Sequence, residues 1–183
     1  QKPGDVFLGV THRLDRPTTG VVLFARTSKA LSRLNEMFKS HEKIKKTYWA
    51  IVQSPPPTPQ GRLENYLWRN EKQNKSFVVK PDSKDAKHAV LSYKTIAQSE
   101  RYTLLEINLE TGRHHQIRCQ LSAIGSPIKG DLKYGAKRSN PDGGISLHAR
   151  KIEFIHPVSK VSISIIAPVP EDTLWRELEL NCK

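Results

Sequence analysis

The stretch HRLDRPTTG, residues 12–20, places one carboxylate, Asp15, between two arginines and shortly before Pro17. An aspartate ahead of such a cluster of proline, threonine and glycine ordinarily bonds to its own turn backbone. The same arrangement also favours a catalytic carboxylate, because the guanidinium groups of Arg13 and Arg16 hold an acid ionised and bind anionic substrates. Both interpretations start from the same turn, so other stretches must decide between them.

A second stretch with chemically useful residues, ETGRHHQIRCQLSAIGSPIKGDLKYG, spans residues 110–135. We predict that the Gly-Arg pair at 112–113 opens a helix whose free N–H groups and dipole attract anions. Arg118 lies further along this helix beside apolar residues, where an unpaired guanidinium is costly to bury. A bidentate pair with Asp15 would remove that cost, and the alternative is that Arg118 points to solvent.

The other polar residues of the second stretch favour structural roles. His114 and His115 are adjacent, so they cannot share one helical face as the paired histidines of a zinc helix do, and we expect no metal. Glu110 and Asp131 are typical of cap or turn acids. The chain contains no Walker loop, GxGxxG or GxSxG pattern, so nucleotide hydrolysis, dinucleotide binding and serine hydrolysis have no positive support.

Composition bounds the class of protein. The chain has 183 residues, of which 37% are hydrophobic, which is typical of one globular domain. Its 30 Lys and Arg against 18 Asp and Glu leave a net charge of +12, with basic clusters at 39–46 and 133–138. That excess favours a nucleic acid as partner, the alternative being a merely solubilising surface. Cys119 and Cys182 lie far apart, which predicts neither a disulfide nor a zinc site and suits a reducing compartment.

Strand and helix patterns alternate along the chain and must position these side chains. The patterns predict strands at 21–25, 47–52, 76–79, 89–97, 102–109, 145–154 and 160–168, and helices at 27–38, 114–125 and 174–180. The strand at 47–52 directs Tyr48 and Trp49 to opposite faces, so that one packs in the core and the other can stack on a base. We predict an α+β fold, a single domain with a mixed, mainly antiparallel sheet flanked by helices.

Four blocks of this sequence resemble the RluA-type family of RNA pseudouridine synthases. The blocks span residues 12–157 in the family's order, and they read HRLDRPTTG, KKTYWAIV, ETGRHHQIR with GSPIKGDLKYG, and SLHA with FIHP. The resemblance implies a pseudouridine synthase-like fold. Two positions depart from the family pattern, since His114 stands where a small hydroxyl residue is usual and Gln120 where histidine is frequent.

The resemblance also implies an activity and its residues. Asp15 is then the catalytic carboxylate, Tyr48 the tyrosine lining the uridine site, Arg118 the arginine paired with the aspartate, and Leu147 the apolar residue under the base. The implied reaction breaks the C1′–N1 bond of a uridine in RNA, turns the bound uracil and forms a C1′–C5 bond. It needs no cofactor and no metal.

The implied partner is rRNA or tRNA, from which the uridine must be extruded at a cost of a few kcal/mol. Arg13 and Arg113 are the expected substrate-binding arginines, and Arg13 either fills the vacated stack or contacts a phosphate. The same residues are also compatible with two other functions. One is a non-catalytic RNA-binding protein on the same scaffold, and the other is a glycosylase that releases free uracil.

Only eleven residues precede the HRLD block, whereas the family carries a further strand and loop there. We therefore expect residues 1–183 to be a single catalytic domain that lacks this strand and loop. We also expect a monomer. A location in the cytoplasm without membrane contact is expected as well, because no apolar run reaches the length of a membrane span and no signal peptide is recognised. A transit peptide would belong ahead of residue 1.

Overall fold

The computed structural model describes residues 6–39 and 43–182, so residues 40–42 of the predicted basic cluster at 39–46 lie outside the described residues. The helices and strands of the described chain have the following bounds: β1 (Gly9–Val10), β2 (Thr19–Gly20), β3 (Phe24–Ala25), α1 (Ser28–Lys39), β4 (Ile44–Val52), β5 (Gln60–Asn70), β6 (Lys75–Val79), β7 (Lys87–Gln98), β8 (Thr103–Leu109), α2 (Gln116–Ala123), β9 (Leu147–Ile155), β10 (Ser162–Ile166) and α3 (Thr173–Leu180).

One large sheet organises the fold. Its strands lie in the order β10-β9-β4-β8-β7-β5-β6 and are antiparallel to their neighbours, while the short β2 runs parallel to the start of β9. The two short strands β1 and β3 form a separate antiparallel pair. The prediction of a mixed, mainly antiparallel sheet is confirmed.

Both faces of the sheet are covered, and the strand sequences alternate accordingly. On β4, Ala50 and Val52 pack with Ile117 and Leu121 of α2, whereas Trp49 packs on the opposite face with residues of α3. A strand segment buried on both faces carries few polar residues, which is why residues 49–52 of β4 form an unbroken apolar run, whereas the first half of β4 contains two lysines. The sheet thus lies between α2 and α3, and the HRLD turn lies on the α2 side.

The predicted buried strand at 21–25 is wrong in most of its length. Only β3 is a strand, and Phe24 is 49% exposed. Val21 and Leu23 instead pack beside α1 in a small cluster around Met37. The apolar run therefore packs in a cluster with α1, β4 and β9 without being a strand of the main sheet, and periodicity alone cannot separate these two outcomes.

The predicted helices are present with adjusted ends. Thr27 accepts a hydrogen bond from the N–H of Ala30 at 3.1 Å, so it caps α1. α2 begins only at Gln116, because His115 has a left-handed backbone with φ 51°. Asp172 caps α3 by accepting from two backbone N–H groups. In the described residues, no helix has both the length and the apolar character that crossing a membrane requires.

Candidate active site

The HRLD turn is closed by backbone groups, which leaves the carboxylate of Asp15 available. The N–H of Thr18 donates to the backbone oxygen of Asp15 at 2.8 Å, and the N–H of Ile145 donates to the oxygen of Pro17 at 3.1 Å. The side chain of Asp15 is 28% exposed. The interpretation of Asp15 as a mere turn former therefore fails, because the turn does not use its carboxylate.

The end of the turn is held against the sheet by β2. Gly20 has φ +119°, and a Cβ there would lie 2.4 Å from the backbone oxygen of Ala149, so only glycine fits this approach. Next to it, the hydroxyl of Thr19 lies 2.8 Å from Nδ1 of His148. The parallel pairing of β2 with β9 thus fixes the position of the turn relative to the sheet.

The start of the turn is held by His12. Its Nε2 accepts a hydrogen bond from the N–H of Leu23 at 3.1 Å, and its ring packs on Phe38 with the centroids 4.5 Å apart. Burial and the nearby charge of Lys46 lower the pKa of His12 to about 4, so the ring is neutral near pH 7. His12 therefore acts as a structural acceptor, not as a cation.

Arg118 faces the same turn from α2. It is 5% exposed, and its Nε and Nη2 donate to the two carboxylate oxygens of Asp131 at 2.7 and 2.8 Å. Its Nη1 lies 3.5 Å from Oδ2 of Asp15. Burial alone would lower the pKa of this guanidinium, but the hydrogen bonds and charge of Asp131 raise it. The solvent-facing alternative is wrong. The predicted bidentate pair with Asp15 is also wrong, because the bidentate partner is Asp131 and Asp15 receives a single, longer contact.

The prediction that Asp131 is a cap or turn acid is also wrong. Its side chain makes no cap hydrogen bond, and it is buried at 1% exposure against Arg118. The preceding Gly130 has φ +87°, a conformation that turns the chain back towards α2. A buried arginine needs a full carboxylate partner, and the spacing of the sequence did not identify which acid supplies it.

Glu110 likewise forms an ion pair where we expected a cap. Its carboxylate accepts from Nε and Nη2 of Arg62 at 3.1 Å each, in an exposed bidentate contact. Exposed pairs of this kind contribute little to stability. Glu110 therefore belongs to the surface beside the site and not to its chemistry.

Six residues predicted from the sequence line one cavity of about 270 Å³, namely Arg13, Asp15, Tyr48, Arg113, Arg118 and Leu147. Burial, followed by the charge of Asp15, raises the pKa of Tyr48 to about 12, so its hydroxyl stays protonated. Leu147 is 3% exposed and forms part of the apolar floor. Trp49 points to the other face of the sheet, which leaves Tyr48 as the aromatic ring of the cavity.

The two predicted substrate-binding arginines differ in how firmly they are held. Arg13 is exposed at the cavity rim. Arg113 is half-buried, and its Nε donates to the backbone oxygen of His88 at 2.7 Å. The N–H of Arg113 donates to Oε1 of Gln116 at 2.9 Å, so the Gly-Arg pair does not offer the free helix N–H groups that we predicted for an anion.

The two departures from the family pattern are accommodated locally. His114 lies 2.9 Å from the hydroxyl of Ser76 and stacks on His115 with the centroids 3.8 Å apart. Gln120 is fully buried and donates to Oδ1 of Asn65 at 2.8 Å. Neither side chain lines the Asp15 cavity.

A larger cavity of about 710 Å³ lies between α1, β9 and β10. It shares no lining residue with the Asp15 cavity. In the described ranges 6–39 and 43–182, no three His, Cys, Asp or Glu side chains converge as a metal site. Size alone therefore does not mark the chemical site; the converging carboxylates, arginine and tyrosine do.

Comparison with known proteins gives a consistent result. The family described as RNA pseudouridylate synthase matches residues 1–123. The uncharacterised RNA pseudouridine synthase YlyB of Bacillus subtilis is 33% identical over 165 residues, which cover 90% of this chain and 53% of that protein. The ribosomal large subunit pseudouridine synthase D of Xylella fastidiosa is 36% identical over 177 residues, covering 90% and 52%. The chain thus spans about half the length of these curated relatives.

Solved structures agree in fold. Human RNA pseudouridylate synthase domain containing 4 superposes with a TM-score of 0.74 at 25% identity, covering 90% of this chain and 72% of that one. Human RNA pseudouridylate synthase domain containing 1 superposes with a TM-score of 0.75 at 21% identity, covering 90% and 70%. The second likeness concerns the fold alone.

Proposed function

The chain belongs to the RNA pseudouridylate synthase family, as its four sequence blocks indicated, and we propose that it isomerises a uridine in RNA to pseudouridine with Asp15 as the catalytic carboxylate. One observation supports this proposal most strongly. The carboxylate of Asp15, the guanidinium of Arg118 and the ring of Tyr48 meet in one cavity over an apolar floor. Its volume of about 270 Å³ suits a single extruded nucleotide.

Asp15 acts as an anion on the sugar. Its carboxylate either attacks C1′ or takes a proton from the sugar, and both routes break the C1′–N1 bond while the uracil stays bound. After the uracil turns, C5 bonds to C1′; in the first route the ester bond between Asp15 and C1′ breaks at this step, and in the second Asp15 returns its proton to the sugar. C5 then loses its proton and N1 gains one. Arg118 places a positive charge 3.5 Å from the carboxylate of Asp15 and limits its movement.

The cavity walls keep the detached base in place. Leu147 supplies an apolar surface and Tyr48 an aromatic one, both of which allow a planar base to turn without losing contact. Because the raised pKa of Tyr48 keeps its hydroxyl protonated, Tyr48 serves as a wall and hydrogen-bond donor and not as a base. Arg13 at the rim contacts the RNA beside the extruded nucleotide, either in the vacated stack or at a phosphate.

Conversion of uridine is the direct test. We expect the purified protein, incubated with rRNA and tRNA lacking modifications, to produce a signal with a chemical label specific for pseudouridine. The relatives named after the large ribosomal subunit make rRNA the first substrate to try. Release of free uracil would indicate a glycosylase instead, and RNA binding with neither product would indicate a non-catalytic RNA-binding protein.

RNA binding should weaken steeply with salt, because the net charge is +12 and several arginines and lysines surround the cavity. If about four to six phosphates are neutralised, the slope of log K against log salt is about −3 to −5. Filter binding from low to physiological salt measures it. Arg13→Gln should make the slope shallower by about one. Arg101→Gln is the control and should not change the slope, because Arg101 is exposed in the turn between β7 and β8, whereas the cavity lies at the opposite end of β8. A slope near zero contradicts an electrostatic footprint.

A further inference from the structure

The ring of His115 lies beside the carboxylate of Asp15. Its side chain is 7% exposed, and its Nε2 lies 3.8 Å from Oδ2 of Asp15, the same oxygen that Nη1 of Arg118 approaches at 3.5 Å. We infer that His115 is a positioning residue, a neutral ring with its proton on Nε2 that holds Oδ2 together with Arg118 and so leaves Oδ1 to act on the uridine. This inference rests on the proposed function.

The hydrogen bonds around Tyr134 determine which ring nitrogen of His115 carries the proton. The backbone N–H of Ser76 donates to the hydroxyl oxygen of Tyr134 at 2.8 Å. The hydroxyl proton of Tyr134 then needs an acceptor of its own, and Nδ1 of His115 lies 3.0 Å away. A nitrogen that accepts carries no proton, so the proton of the neutral ring is on Nε2.

The opposite tautomer is disfavoured at both nitrogens. It would direct the Nε2 lone pair towards the negative carboxylate of Asp15, and it would leave the hydroxyl proton of Tyr134 facing another N–H. Tyr134 is 4% exposed, so water cannot readily replace the lost acceptor. An unsatisfied buried donor and a lone pair against an anion are both costly.

Burial and the nearby positive charges keep the ring of His115 neutral. Burial, followed by the positive charges of Arg118, His114 when protonated, Lys133 and Arg69, lowers the pKa of His115 to about 3. Burial raises the pKa of Tyr134 to about 12. Neither group therefore changes its protonation state near neutral pH, and the proton on Nε2 stays in place there.

The distances fit a site that closes on its substrate. Separations of 3.5 and 3.8 Å exceed those of strong hydrogen bonds, and such contacts commonly shorten when the substrate fills the site. Two donors that converge on one oxygen restrict rotation of the carboxylate. A carboxylate held in one orientation speeds the chemical step more than it increases RNA affinity.

The tautomer can be read without RNA. In a ¹⁵N spectrum of the histidine rings near pH 7, we expect His115 to show a protonated Nε2 and an unprotonated Nδ1, with its signals assigned by their absence in His115→Gln. Tyr134→Phe removes the donor to Nδ1 and should give a mixture of tautomers. Tyr66→Phe is the matched control, because Tyr66 is a half-buried tyrosine on β5, and it should leave the ring signals of His115 unchanged. A native ring protonated on Nδ1, or on both nitrogens, overturns the inference.

The kinetic test compares two substitutions at the same backbone position. His115→Phe and His115→Gln share the cost of the left-handed φ of 51°, so their difference reports the side chain. We expect His115→Phe to lower kcat about 10- to 100-fold with little change in KM, since a donor to a charged group is lost. His115→Gln, which keeps an N–H donor at a similar reach, should recover most of that loss.

The outcomes separate this inference from the proposed function. Equal loss of kcat in the Phe and Gln variants, or native kcat in His115→Phe, refutes a donor role for His115. If the Phe variant does not fold, as judged by thermal unfolding, the ring spectra of the native protein and of Tyr134→Phe still decide the tautomer. A native protein that shows the expected spectrum but converts no uridine contradicts the proposed function, and with it the role of His115 in catalysis.

Discussion

Asp15→Asn is expected to lower the rate of uridine isomerisation by roughly three orders of magnitude or more, because asparagine has nearly the same shape but is no anion. RNA affinity should change only a few-fold, since the phosphate contacts come from other residues. Stability should change by no more than about 1 kcal/mol, because the turn is closed by the backbone of Asp15 and its side chain is 28% exposed. Single-turnover conversion measured with the pseudouridine label, together with filter binding, checks all three.

A matched control makes the result specific. Asp82→Asn removes the same charge from an exposed turn between β6 and β7, and it should leave turnover and RNA affinity at native values. Near-normal turnover in Asp15→Asn would refute the assignment of the catalytic carboxylate. Loss of RNA binding in parallel with activity would instead point to a binding role for Asp15.

Arg118→Met is expected to lower both the stability of the fold and the rate of isomerisation by a large amount. Removing the guanidinium leaves the carboxylate of Asp131, which is 1% exposed, without its bidentate partner. Breaking a buried pair from one side typically costs about 3–5 kcal/mol in the free energy of unfolding. Chemical denaturation measures that loss, and the rate of isomerisation should fall as Asp15 loses its neighbouring cation.

A pair of further variants separates the two roles of Arg118. Arg118→Lys keeps the charge but not the planar fork, so activity should fall more than RNA affinity does. In the double variant Arg118→Met with Asp131→Leu, both buried charges are gone and much of the lost stability should return, while activity stays low. Native activity in Arg118→Lys would contradict the need for the fork, and unchanged stability in Arg118→Met would contradict the buried pair with Asp131.

Much of the sheet could be predicted because its strands carry their environment in their own sequence. The alternation of Trp49 and Ala50 on β4 already separates two buried faces. The run at 21–25 could not be assigned in this way, because Val21 and Leu23 are partly buried by side chains of α1, β4 and β9 without belonging to a strand. A short apolar run predicts that a segment is buried, but it does not identify the helix or strand that covers it.

The candidate site was likewise predictable only in part. The sequence by itself identified the HRLD block, Tyr48, Arg118 and Leu147 as candidate site residues, and all of them line one cavity. Only the tertiary structure decided that Asp131 holds Arg118 most closely, and that His115 faces Asp15 with Tyr134 behind it. The physical reason is that ion pairs and tautomers depend on distances across a packed interior, here between the HRLD turn, the start of α2 and the segment that follows α2. Chain spacing does not encode those distances until the sheet has brought the segments together.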